Sequence, residues 1–134
     1  MPHSNSNNFI AEIKGSVHPE EIILFGGHVD SWDTGTQTGA NDDGGGIITC
    51  FEALRTIKEL GLKPKRTLRV IGWSGEEFGA PNNGAMQYVR DHKDEIKNHV
   101  LAFESDLGST KPYGFGFTGS KKISRTEKYC YFYI

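Results

Sequence analysis

Several absences narrow what this sequence can be. It has two cysteines, Cys50 and Cys130, so neither a disulfide framework nor a CxxC metal motif is available. Cys50 lies inside an apolar helical pattern and reads as a small core residue. No segment approaches 18 apolar residues, which leaves no membrane-spanning helix. The opening "MPHSNSNNF" has neither a charged start nor an apolar stretch, so no signal peptide is expected in the chain as written. There is no excess of one charge: 15 basic and 17 acidic residues give a net charge of −2. That balance gives no support to a nucleic-acid or anionic-membrane partner. The small basic run Lys63, Lys65, Arg66 and Arg69 around Pro64 reads as a solvated turn. GxGxxG and GxxxxGK[ST] are both missing. The acids of "NDDGGG" would repel phosphate, so a nucleotide loop is set aside.

What remains fits one domain with a modest core, since 134 residues with 36% hydrophobic content can bury one. Residues 1–8 are polar and read as a disordered lead-in. "FIAEIKGSV" alternates as a strand should, "HPEE" reads as a turn, and "EIILFGG" is an apolar run suited to a strand covered on both faces. A long Gly/Asp/Thr loop without periodicity follows, from "HVDSWD" to "NDDGGG"; loops of this length in a compact domain are commonly functional. The spacing of Ile47, Phe51, Leu54, Ile57 and Leu60 predicts a helix, closed by Gly61 and Pro64. "RTLRVIGWSG" reads as a strand. A second helix follows with Ala85, Val89, His92 and Ile96 on one face, then "HVLAFESDLGS" as a further strand. "YGFGFTGS" suits a short edge strand. The alternation implies an α/β fold, with a central mixed and largely parallel sheet flanked by helices.

Ligands of such sheets bind beyond the carboxyl ends of the strands. Three strands here end in polar clusters: His28 with Asp30, Glu76 with Glu77, and Glu104 with Asp106. Each has a simple explanation by itself. Asp30 suits a turn, Asp42 or Asp43 a helix N-cap, and Glu76 and Glu77 a solvated helix start. Gathered at one sheet edge, however, these acids would repel one another unless a cation sat among them. Imidazole with carboxylates suits zinc, and neutral oxygen donors are too few for calcium. A two-metal site needs a bridging carboxylate, for which Asp42 is well placed. It also needs a carboxylate kept off the metal as a proton acceptor, and the Glu76–Glu77 pair offers both roles.

"GGHVDSWD", "NDDGGG", "WSGEEFG" and "FESD" together resemble the peptidases with two co-catalytic zincs, which include aminopeptidases and carboxypeptidases. The resemblance covers about residues 9–120, a partial catalytic core, and leaves 121–134 as a divergent tail. It implies zinc-dependent exopeptidase or dipeptidase activity on short peptides, with two zinc ions. It makes His28 a ligand of one zinc, oriented by Asp30, with Asp106 beside it. It makes Asp42 the bridging ligand, Glu77 the ligand of the other zinc and Glu76 the general base. It further implies a secreted or lysosomal protein and a homodimer. Asp33 and Trp32 receive no chemical role.

The same resemblance calls for one more histidine after "FESD", and none follows in this chain. His99 precedes a strand at the opposite sheet edge from Asp106 and is not cast as that ligand. His92 reads as a helix-face residue, and His3 and His18 lie in a tail and a turn. The last six residues, "YCYFYI", are all apolar or aromatic apart from the cysteine. An inactive chain acting as a partner or decoy of a full-length copy is therefore the alternative expectation.

Overall fold

The computed structural model describes residues 5–79, 81, 83–106, 108 and 111. Four strands, β1 (Phe9–Ile13), β2 (His18–His28), β3 (Arg66–Trp73) and β4 (His99–Glu104), form one sheet in the order β1-β3-β2-β4. β2 pairs in parallel with both β3 and β4, while β1 runs antiparallel to β3 at the edge. Helix α1 (Gly45–Glu59) connects β2 to β3, and α2 (Gly84–Asp91) lies between β3 and β4. The structure is thus the mixed, mostly parallel α/β sheet expected. The expected edge strand "YGFGFTGS" lies outside the described residues.

Both faces of the sheet carry core, which is why the central strands read as continuous apolar runs. On one face Phe25 and Val70 pack with Cys50 and Leu54 of α1, and Phe103 stacks on Phe25 at 5.5 Å. On the other, Ile22, Leu24, Ile71 and Trp73 pack with Tyr88 of α2. Successive side chains along β2 and β3 therefore alternate between two helices rather than between core and water. Replacing Leu54 with Ala should cost about 2–5 kcal/mol, the usual penalty for a buried leucine cavity. A lower urea midpoint with unchanged slope would register it; an unchanged midpoint would mean the α1 face is not core.

Four local readings need correction. "HPEE" is not a turn but the start of β2, because Val17 and His18 donate to the Lys65 carbonyl and hold the segment extended, with a register shift between His18 and Ile22. In α1 the inner positions go to Gly46, Cys50 and Leu54, whereas Phe51 and Leu60 are exposed. The helix closes as expected at Gly61 (φ 66°), where Leu62 N–H reaches the Ile57 carbonyl and Gly61 N–H that of Lys58. In α2 it is Tyr88, not Val89, that is buried; the helix ends at Asp91, so a pattern reaching Ile96 spans a helix and a separate 3₁₀ turn. Finally, Arg69 is not solvated. It is buried in β3, where it donates to Glu12 (2.9 and 3.0 Å), to Glu95 (2.7 Å) and to the Tyr88 hydroxyl (2.6 Å).

Order reaches back into the expected lead-in. The Asn8 side chain accepts from Ser74 N–H at 3.1 Å and donates to the Gly84 carbonyl at 2.8 Å, fastening the chain before β1 to both ends of the β3–α2 loop.

Candidate functional site

The parallel strands β2, β3 and β4 all end at the same sheet edge, and their C-terminal extensions carry His28, Glu76 with Glu77, and Asp106. His28 closes β2 and is almost wholly buried, at 1% exposure. Its Nε2 lies 3.2 Å from Asp42 Oδ1 and 3.5 Å from Asp106 Oδ1. Donor atoms of His28, Asp42 and Asp106 lie mutually within 4.8 Å, close enough to hold a metal ion. Three elements thus converge on one point: a strand end, the irregular turn Ala40–Gly44 before α1, and the segment after β4.

The other nitrogen of His28 is fixed by Asp30, although not through the carboxylate. Nδ1 lies 3.0 Å from the Asp30 backbone oxygen and 3.9 Å from its Oδ1. If Nδ1 is the protonated nitrogen, that carbonyl accepts its proton and leaves the Nε2 lone pair facing Asp42 and Asp106. The Asp30 carboxylate instead accepts two backbone amides, Glu76 N–H at 3.0 Å on Oδ1 and Glu77 N–H at 3.1 Å on Oδ2. Asp30 is therefore a clasp between the β2 end and the turn after β3, where Gly75 adopts φ 73°.

Electrostatics favour a cation here. Burial alone would lower the His28 pKa, but the Asp30 carbonyl, the Asp42 carboxylate and the charges of Asp43 and Asp106 raise it above the usual imidazole value. Burial pushes the Asp43 carboxyl up to about 6, opposed by His28 and by two backbone N–H bonds. The Glu77 carboxyl is raised by burial and then by Asp42, with smaller contributions from Glu76 and Asp30. Glu77 Oε1 is buried without a hydrogen-bond partner, which among the described residues marks it out. A buried carboxylate oxygen left unpaired is costly. A metal ion would satisfy it, and one imidazole with several carboxylates is a donor set that divalent metals of the zinc type accept.

Some residues stay outside this constellation. His99 sits at the other end of the sheet, 2.9 Å from the Tyr88 hydroxyl, and Trp32 is exposed. A second group, His18, Glu20 and Glu21, also lies at that far end and is largely solvated, and Glu21 is engaged by Arg66. One participant was not singled out from the sequence except as a helix cap. Asp43 accepts Gly46 N–H at 3.1 Å, as a cap does, but also His28 N–H at 3.1 Å. The glycines beside it, Gly27 and Gly46, were the available signal.

Comparison with known proteins finds similar chains. The model of peptidase family M28 matches residues 8–131. Human carboxypeptidase Q is 52% identical over 121 residues, covering 90% of this chain and 25% of the relative. The mouse protein of the same name is 50% identical over 127 residues, covering 95% and 26%. The crystal structure of a peptidase M28 precursor from Shewanella amazonensis is 43% identical, with a TM-score of 0.73 over 79% of this chain and 23% of that one. The chain spans about a quarter of the length of these relatives.

Proposed function

This chain belongs to peptidase family M28, and on that premise we propose that it carries the metal-holding part of a zinc-dependent exopeptidase acting on dipeptides or short peptides. The observation that supports this most is the convergence of Asp42 and Asp106 on His28 Nε2, at 3.2 and 3.5 Å. In this reading His28 and Asp106 would hold one ion, Glu77 would contribute to a second, and Asp42 would be the ligand common to both. When bound, such a pair supplies Lewis acidity to the scissile carbonyl and lowers the pKa of a nearby water.

The chain's own residues do the rest. Glu76 accepts the proton of the attacking water and returns it to the leaving amine, as a general base and then acid. Asp30 fixes where the Glu76 and Glu77 side chains start by holding both of their amides. The Asp30 carbonyl fixes the tilt of the His28 ring. A secreted or lysosomal location and a homodimer follow from the family resemblance and belong to the same proposal. Among the described residues no helix is long and apolar enough to cross a membrane.

The test is metal content. The intact protein, dialysed against zinc and then freed of excess, should retain two ions per chain, and saturation at a hundredfold above Kd should stabilise it by about 2.7 kcal/mol per site in thermal melts. His28→Ala should lose that stabilisation. Fewer than one ion per chain would overturn the reading.

A further inference from the structure

The carboxylate of Asp43 is buried directly beneath the site, with 1% of its surface exposed, and the proton-acceptor and ligand roles described so far leave it unused. It reaches across 15 residues of chain to accept His28 N–H on Oδ2, and it accepts Gly46 N–H in the first turn of α1 on Oδ1. An ordinary helix cap needs only the second bond and sits at the surface. Here one carboxylate ties the end of β2 to the start of α1. Asp42, the preceding residue, is carried with it to His28 Nε2.

The surrounding glycines show how closely the groove is fitted. A Cβ on Gly27 would lie 1.9 Å from Asp43 Oδ2, and one on Gly46 would lie 2.2 Å from Asp43 Oδ1. The same two positions face the Ser105 carbonyl, at 3.0 and 2.2 Å, and Ser105 in turn precedes Asp106. Ser105 is held by its own N–H to the Gly26 carbonyl at 2.8 Å. The backbones that deliver His28, Asp42 and Asp106 therefore meet around one buried carboxylate. This accounts for glycines in "GGH" and "GGG" that a strand end and a helix start would not otherwise require.

We propose that Asp43 is a positioning residue that sets His28 and Asp42 in the arrangement a metal ion needs, without itself touching the ion. The proposal rests on the metal-site reading above. Groups that orient metal ligands typically change metal affinity by about 10–100-fold when altered. Asp43→Asn keeps the shape but places an amide NH₂ against a backbone N–H donor, so one of the two bonds is lost.

The experiment is a Co²⁺ titration of the intact protein, read by its visible absorption, alongside far-UV circular dichroism. Asp43→Asn should keep the fold, weaken Co²⁺ binding about 10–100-fold and shift the absorption bands. Leu54→Ala, which loosens the core away from the site, should leave Co²⁺ affinity and bands unchanged while it remains folded. Wild-type affinity and spectrum in Asp43→Asn would overturn the proposal. Asp43→Ser leaves space for a bridging water and serves if the amide variant does not fold; it should show the same loss. If neither folds, Asp43 is a requirement of the fold and the positioning role is overturned. His28→Ala keeps the two readings apart: if it binds Co²⁺ as the wild type does, the metal site itself fails, whatever Asp43 does.

Discussion

Glu76→Gln in the intact protein is expected to lower peptide turnover by about 10²–10⁴-fold and to leave the metal bound. In free-energy terms that is about 3–5 kcal/mol of barrier. Glutamine keeps the length and polarity of the side chain but cannot accept the water's proton at working pH. The backbone should not move, because Asp30 holds the amide of residue 76 whatever its side chain. The neighbouring substitution should separate the two roles. Glu77→Gln removes the carboxylate whose Oε1 is buried without a hydrogen-bond partner, so it should lower metal content first and turnover as a consequence. Metal analysis and a dipeptide hydrolysis assay on the same samples check both. Full turnover in Glu76→Gln would remove Glu76 from the chemistry, and metal loss in that variant would reassign it as a ligand.

Gly26→Ala should be the most damaging single methyl group in the described structure. Gly26 pairs with Ile71 across the two central strands, and a Cβ there would lie 1.8 Å from the Ile71 carbonyl oxygen and 2.8 Å from its carbon. The obstructing atoms are backbone in the middle of the sheet, so they cannot rotate away as a side chain would. Overpacking typically costs 1–3 kcal/mol, and a backbone clash belongs at or above the top of that range, at about 3 kcal/mol or more. Against a total stability of about 5–15 kcal/mol, this should lower the melting temperature by roughly 10 °C. A thermal melt followed by circular dichroism measures it. A shift of under about 2 °C would mean that the two strands have room to part at this pair.

The sheet and the polar strand ends were legible because they depend on short-range signals: apolar runs of strand length, a helical spacing, and acids placed where those runs stop. Less was legible where a distant partner decided the outcome. "HPEE" has turn chemistry, and only the Lys65 carbonyl makes it strand. Arg69 sits in a basic run, and only Glu12 and Glu95, from β1 and from beyond α2, bring it inside. Tyr88 replaces Val89 on the buried side because its hydroxyl has Arg69 and His99 to meet. The roles of His28, Asp42, Glu76, Glu77 and Asp106 came from a resemblance rather than from spacing. Asp43 was hidden by a sufficient local explanation, since a helix cap accounts for one of its bonds and conceals the other.

β3 has two very different ends. One opens, through Gly75, onto the carboxylates proposed for catalysis, while short of the other the strand is pinned at its fourth residue, Arg69, to Glu12, Glu95 and Tyr88. The Glu95 carboxyl is lowered there, first by the Arg69 hydrogen bond. The Arg69 contacts involve none of the acids at the other end, which are met there by His28 and by backbone N–H groups. The strand is in effect a beam clamped at mid-length and loaded at one end. The clamp is made by residues the proposed site does not use, so substitutions among the site acids leave it in place.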